Sequence, residues 1–503
     1  MPKVSVPRPI TKELYAASLQ CGKQLYLDYH DSGDAEDLST GRQRLVELGL
    51  RLTELAREAF PQSETADSDD IETAAEQTRT WLQERPHVAV FDAAFAVDGL
   101  EVRADIAIAD GSGGVEVYEV KSGTKVKPRH IRDLAFQVHT ISLSGFEVRK
   151  SWVLHINTQY RHDGGSRYPV LEIFKHIEVT DKVRGQLGKV SGNLTKLRAL
   201  LDDEATRDLK TGTHCHIPFP CKYTPACREE ESSQPLLDLP ELSRDQEADL
   251  RDQGVHTFAD LTVDLEGLNS IQQRAIRASR SGELVIEPFV GDELRDVEFP
   301  LYFVDTTSLL VVLPMLKSSR PWHYVPFQWH ATILEEDGEV SSASFVSDGK
   351  ADPRSEFVNH LAHLLADDGT VMLYGTSLEH RMRELMEDLP DCKPAIREVL
   401  NQARFDLRQL VKAGVYHPKF QASFELTSVH EALVSEVDLD GHEIRCGDDA
   451  QAACERLMNS RTRAATREKL TAQLAMYGQT RSEAVAGLYH ALLEVTQDAA
   501  ESD

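Results

Sequence analysis

Apolar and polar positions repeat at two periods along this chain, and the change of period marks out its elements. Residues 41–60, GRQRLVELGLRLTELAREAF, place Leu45, Leu48, Leu52, Leu55 and Ala56 at helical spacing, with Pro61 as a stop. An amphipathic helix is expected there. Period-two segments follow: HVAVFDAAFAV, a DG turn, LEVRADIAIAD, a GSGG turn and VEVYEVKSG. They predict strands joined by hairpins. After Pro128, a stripe of Ile131, Leu134, Ala135, Val138 and Ile141 ending at Gly145 predicts a helix, and RKSWVLHINTQY returns to strand character. The result is a mixed α/β unit.

Residues 228–245, REEESSQPLLDLPELSRD, have the composition of a linker, and the stretch after them suggests short connecting helices. A second α/β pattern begins at VEFPLYFVDTTSLLVVLP. Strands are expected near 299–313, 327–335, 341–346 and 370–374, and helices near 354–366, 377–388 and 393–413. The segment 460–498 reads as helical and QDAAESD as a frayed tail. The expected division is 1–230, a connector at 231–290, and 291–503.

Composition narrows the function classes. Lys and Arg total 55 against 83 Asp and Glu, a formal charge of −28, which argues against general electrostatic adhesion to nucleic acid or an anionic membrane. Contact with nucleic acid would have to be local. The opening residues lack the apolar core of a signal peptide and no apolar run reaches spanning length, so a soluble cytoplasmic protein without a membrane partner is expected. Seven cysteines are too few for a disulfide scaffold, which directs attention to their positions.

Within VEVYEVKSG, side chains alternate faces, so Val115, Val117, Glu119 and Lys121 share one side. Two charges stand on a face that begins apolar, and burying them costs several kcal/mol unless they are paired or bound. The preceding strand carries Asp105 in a similar setting. Two strand-borne carboxylates can hold Mg²⁺ or Mn²⁺ through oxygen, and a lysine beside them can orient water or stabilise developing phosphate charge. The basic run KSGTKVKPRHIR, with Lys125, Lys127 and Arg129, would suit backbone phosphates. The same spacing also fits a surface ion pair on an edge strand.

HCHIPFPCKYTPAC holds Cys215, Cys221 and Cys227 at C-x5-C-x5-C, and Cys21 in LQCGKQLYL can supply a fourth thiolate. Four thiolates suit an iron–sulfur cluster or tetrahedral zinc, and His214 and His216 keep zinc open.

The order of these features resembles the iron–sulfur PD-(D/E)xK nucleases: an early cysteine, an Asp, an E-x-K strand, a helix bearing Gln137 and three clustered cysteines. RecB-like nucleases associated with CRISPR systems and the nuclease domains of bacterial recombination helicase-nucleases belong to that group. The resemblance covers residues 9–230 and implies a restriction-endonuclease-like core. Asp105 and Glu119 would ligate metal, Lys121 would be the catalytic lysine, and Gln137 would fill the helix position after it. Glu54, or more weakly Glu47, would be the helix-borne acidic ligand. His139 and Thr140 stand where a tyrosine often follows the Gln. Cys21, Cys215, Cys221 and Cys227 would hold a 4Fe–4S cluster.

The second half, with FPLYFVDTTS, VPFQWHATILEEDGEV, GTVMLYGTSLEHRMREL and YHPKFQASFELTSV, resembles the RNase H-like, DEDD-exonuclease-like module fused to a RecB-like nuclease in an uncharacterised bacterial family. Asp305 and Glu379 match two of its acidic positions. Thr307 and Arg481 replace the other two and Gly375 stands where an Asn is usual, which implies a degenerate second site that binds or docks. Trp322, Tyr324, Phe327 and Trp329 could stack nucleobases or fill a core. The joint expectation is a metal-dependent nuclease acting on single- or double-stranded DNA in repair or defence, with a partner helicase or nuclease. The alternative is a non-catalytic binding or assembly subunit.

Overall fold

The computed structural model describes residues 8–30, 40–231, 234–435, 437 and 441–502. Residues 1–7 of the stretch read for a leader, residues 232–233 of the expected linker and Asp503 lie outside the described residues. The chain divides into two compact units, Met1–Leu38 with Arg42–Ser232, and Ser39–Gly41 with Ser233–Asp503. Both are mixed α/β. Among the described residues no helix is long and apolar enough to cross a membrane.

The first elements are α1 (Lys12–Gln20), α2 (Gly22–His30), α3 (Thr40–Arg57), β1 (Ser63–Thr65), α4 (Ile71–Glu84), β2 (Ala89–Val97), β3 (Leu100–Ala109), β4 (Gly114–Lys121), α5 (Pro128–Leu143), β5 (Glu147–Ile156), α6 (Val170–Ile173), β6 (Phe174–Glu178), α7 (Thr180–Asp202) and α8 (Thr224–Glu229). Thr11 caps α1 by accepting the Leu14 N–H, and Asp70 caps α4 by accepting that of Thr73. Asp98 and Gly99 both take positive φ, 52° and 72°, as a tight β2–β3 hairpin requires. The sheet runs β1-β2-β3-β4-β5-β6. β1/β2 and β4/β5 are parallel and the other neighbours antiparallel. Helix α5 is the crossover that a parallel β4–β5 pair needs. Its Leu134, Ala135, Val138 and Ile141 share a core with Ala107, Val115 and Val117, so it covers the face on which Glu119 stands.

The second unit contains α9 (Arg244–Asp252), α10 (Ser270–Ser281), β7 (Val285–Ile286), α11 (Phe289–Arg295), β8 (Leu301–Val311), β9 (His323–Leu334), β10 (Val340–Val346), α12 (Arg354–Leu364), β11 (Thr370–Leu373), α13 (Ser377–Asp388), α14 (Lys393–Asn401), β12 (Ala403–Asp406), α15 (Leu407–Gly414), β13 (Val415–Tyr416), α16 (Leu426–Leu433), α17 (Gly447–Met458) and α18 (Ala464–Ser502). Its main sheet runs β10-β9-β8-β11-β12. The first three strands are antiparallel, and β11 is parallel to both β8 and β12. Leu236, Leu250, Phe258 and Ala275 share one core with Phe303, Met372, Val411 and Leu488. Helices this short cannot bury an apolar face alone, and residues 236–294 accordingly pack with the sheet that follows.

Two expected elements change. The helix expected over 393–413 is broken by β12, because residues 403–406 pair with β11 and the Asp406 carboxylate then caps α15 by accepting the Arg408 and Gln409 N–H groups. The expected frayed tail continues α18 as helix to Ser502.

Candidate functional site

Asp105 and Glu119 meet on the α5 face of the first sheet because of a local break in pairing. The β3–β4 ladder includes Ile106↔Tyr118 but no partner for Asp105. On its other side the β2–β3 register passes from Phe91↔Ile106 to Ala93↔Ala104, and Asp92, skipped between them, takes a positive φ of 51°. A non-glycine residue costs energy in that conformation, and such strain gathers at functional sites. The Asp105 carboxylate is thereby free of the ladder, and its Oδ2 accepts the Val120 N–H at 2.7 Å.

Glu119 has no exposed surface. Its Oε1 accepts hydrogen bonds from Lys121 Nζ at 2.5 Å and Lys12 Nζ at 3.0 Å, and its Oε2 from Gln137 Nε2 at 2.6 Å. The β4 residues, the α5 glutamine and the first residue of α1 thus converge on one carboxylate. Sequence reading missed Lys12. Its position just after the Thr11 cap was the available signal for a helix start, but no local pattern ties it to a strand 107 residues away.

The electrostatics separate the two acids. Burial pushes the Asp105 carboxyl up, the Glu119 charge adds to this, and the lysines and the Val120 N–H counteract it only in part, leaving it at about 6. Burial also opposes ionisation of Glu119, but Lys12, Lys121 and Gln137 outweigh it and hold Glu119 below the usual carboxylate range. Burial disfavours the Lys12 ammonium, yet Glu119 and Asp105 keep it above the ordinary lysine value. Half-buried Asp133 on α5 is raised by burial and interacts with Lys121, Glu119 and Lys12. Buried His130 is pushed down to about 4 by burial and by the Lys121 and Arg129 charges, and its Nδ1 accepts the Lys127 N–H.

Glu54 is not brought into this group: its exposed carboxylate pairs with Arg57 at 3.4 Å, and Glu47 is also exposed. Of the basic run, Lys125 is exposed, Lys127 precedes α5 as its N-cap, and the Arg129 guanidinium lies 4.3 Å from the centre of the Phe219 ring. His139 is half-buried, and buried Thr140 donates its hydroxyl to the Phe136 carbonyl of its own helix.

Cys21, Cys215, Cys221 and Cys227 line one small cavity with Lys23, His214 and Tyr223. Gln20 Nε2 holds the cysteine loop against α1 by donating to the His214 and Phe219 carbonyls at 2.9 and 2.8 Å. Tyr223 and Lys222 both reach Asp28, and Lys23 pairs with Glu230 at 2.5 Å. Burial pushes the Cys215 thiol up to about 11 and raises those of Cys221 and Cys227. Among the described residues no three His, Cys, Asp or Glu side chains are gathered closely enough to hold a metal ion. The cysteines surround a shared space without closing on a point, and Asp105 with Glu119 makes two donors. Donor chemistry still fits in both places: four sulfurs suit a cluster or zinc. Two carboxylates beside the buried Gln137 Oε1, which has no hydrogen-bond partner among the described residues, suit a hard divalent cation.

In the second unit Arg481 Nε, from α18, donates to Asp305 Oδ1 at 2.9 Å, and Asp305 Oδ2 is buried without a hydrogen-bond partner among the described residues. Thr307 is buried. Glu379 pairs with Arg383 at 2.6 Å on the rim of an open groove that includes Gly375, Arg404 and Asp406 but neither Asp305 nor Arg481. Phe327 and Trp329 are core residues, which removes them as nucleobase platforms. Tyr324 is covered by Arg381, whose guanidinium lies 3.4 Å from the ring centre, and Trp322 is half-buried.

A family model described as a domain of unknown function (DUF2779) matches residues 302–425. That span lies within the second unit and excludes Asp105, Glu119 and the cysteines. No curated protein matches the chain.

Proposed function

We propose that the first unit is a metal-dependent deoxyribonuclease of the PD-(D/E)xK type. The observation that carries this reading is the convergence of half-buried Asp105 and buried Glu119 on adjacent strands, with Lys121 and Gln137 both on Glu119. A carboxylate pair drawn out of water together with two lysines is expensive to assemble, and perturbed groups of this kind concentrate where chemistry is done. Further support comes from the element order β2-β3-β4-α5-β5, with α5 over the acidic face.

Asp105 and Glu119 would hold Mg²⁺ or Mn²⁺, which supplies charge stabilisation at the phosphate and a more nucleophilic water. Gln137 orients Glu119 by donating to Oε2, while Oε1 faces the two lysines. Lys121, fixed two residues along the same face, is placed to orient water and to offset charge on the phosphate. Water gives up a proton as it forms the new P–O bond, the bond from phosphorus to the leaving sugar oxygen breaks, and the leaving oxygen takes up a proton in its place. The four cysteines would carry a 4Fe–4S cluster that stabilises the join between residues 20–28 and 214–230. Lys125, Lys127 and Arg129 would meet backbone phosphates.

The test is anaerobic purification, iron and sulfide assay, and incubation with single- and double-stranded DNA plus Mg²⁺ or Mn²⁺. Equal cutting by wild type and Lys121→Ala sinks the reading. Stoichiometric zinc without iron removes the cluster and leaves the nuclease standing.

For the second unit we propose an RNase H-like module that binds or docks, with a partner helicase or nuclease as its occupant, in DNA repair or defence inside a bacterial cell. The strand order β10-β9-β8-β11-β12 and the Arg481 guanidinium on Asp305 favour this over a second cutting site.

A further inference from the structure

We propose that Lys12 is an exchangeable counter-ion that couples divalent-cation binding to phosphate binding at Asp105 and Glu119, an inference that rests on the nuclease reading. Lys12 and Lys121 place their ammonium groups on the same oxygen, Glu119 Oε1, at 3.0 and 2.5 Å. Like charges sharing one acceptor repel, so one of the two is held less firmly than it would be alone.

The mountings of the two lysines say which one moves. Lys121 extends from β4, two residues from Glu119 on the same face. Lys12 starts α1, a separate element, and its contact with Glu119 is the longer of the two, 3.0 against 2.5 Å; its side chain is 22% exposed, close to the 25% of Lys121, which leaves its hydrated head group a route into water. Lys12 can therefore leave Glu119 without disturbing the strand.

Charge balance supplies the reason to leave. Asp105, Glu119 and half-buried Asp133 stand against Lys12 and Lys121, one negative charge in excess, so a divalent cation entering beside them leaves one positive charge in excess. Binding a phosphodiester brings back the one negative charge that is needed. Three carboxylates and one phosphodiester then balance two lysines and one divalent cation. Lys12 fulfils this balance by passing from Glu119 Oε1 to a phosphate oxygen, so cation and DNA each favour the binding of the other.

The experiment measures Mn²⁺ binding to the full chain by electron paramagnetic resonance, with and without a short single-stranded phosphorothioate oligonucleotide that resists cutting. Wild type is expected to bind Mn²⁺ about tenfold more tightly with the oligonucleotide than without it. Lys12→Met, which keeps the apolar stem, is expected to bind Mn²⁺ about threefold to tenfold more tightly without DNA and to lose the enhancement, while cutting falls. Tighter metal binding with poorer cutting is a combination that a merely structural lysine would not produce. Lys12→Gln serves as the second variant, with thermal melts of both to verify folding. Unchanged or weaker Mn²⁺ binding by the folded variants, or an intact enhancement, overturns the proposal. If Asp105→Asn abolishes Mn²⁺ binding while Lys12 is without effect, this inference alone falls. If wild type and Asp105→Asn bind Mn²⁺ alike, the nuclease reading falls with it.

Discussion

Asp105 on β3 and Asp305 on β8 are both carboxylates drawn out of water on a strand, and they differ in what neutralises them. Around Asp105 and Glu119 the cations are lysines, compact charges on flexible stems that can change partners. At Asp305 the cation is the planar fork of Arg481, delivered by a long helix and bonded through Nε. The remaining Asp305 oxygen is buried without a hydrogen-bond partner among the described residues, and Arg481 holds a cation where a metal would otherwise sit. An exchangeable arrangement suits chemistry, and a fixed one suits the joining of a helix to a sheet. Of the acidic positions implied by resemblance, the first unit brings two together and the second leaves Asp305 and Glu379 to separate basic partners.

The contrast is broken most directly by activity. Glu119→Gln is expected to lower DNA cutting about a thousandfold, whereas Asp305→Asn leaves the rate unchanged; a comparable loss from the second substitution would overturn the assignment. Next comes stability. Arg481→Met strands a buried carboxylate and is expected to cost about 3 kcal/mol in the unfolding of the second unit, read by urea denaturation, with partial recovery when Asp305→Asn is added.

A smaller effect concerns pH. The Asp105 carboxyl titrates at about 6 in the folded protein against an ordinary 3.8, so the folded state binds this proton more tightly than the unfolded chain does. Ionised Asp105 therefore lowers stability above pH 6, a penalty that shrinks as pH falls through that value and is gone below the unfolded value. Asp105→Asn is expected to gain about 2 kcal/mol near neutral pH, in thermal melts without added metal, and to lose the gain as pH falls from about 6 to about 4. The smallest expected effects are at Glu54 and Glu379. Alanine at either leaves cutting and melting unchanged, because each carboxylate pairs with a neighbour on its own helix at the surface.

Local patterning reached far in this chain. Alternation placed β4 and put Glu119 and Lys121 on the face that α5 covers, and Pro128 marked the start of that helix. The strand expected over 341–346 and the helix over 377–388 are seen as Val340–Val346 and Ser377–Asp388. Reading failed where a strand resembled a helix by composition: residues 403–406 are short and lie between two helical stretches, and only the neighbouring β11 makes them a strand. For Phe327 and Trp329 it left nucleobase stacking and core filling both open, and packing against other elements of the second unit makes them core.

The charged strand, its period and the cysteine spacing are consequences of side-chain order, since alternation and turn chemistry act over a few residues. The meeting of Lys12 with Glu119, the release of Asp105 from the ladder opposite Asp92, and the diversion of Glu54 to Arg57 are not. These depend on which segments a closed core forces together. Burial is what turns an ordinary aspartate into one that titrates near 6, and burial exists only once the sheet and α5 have packed.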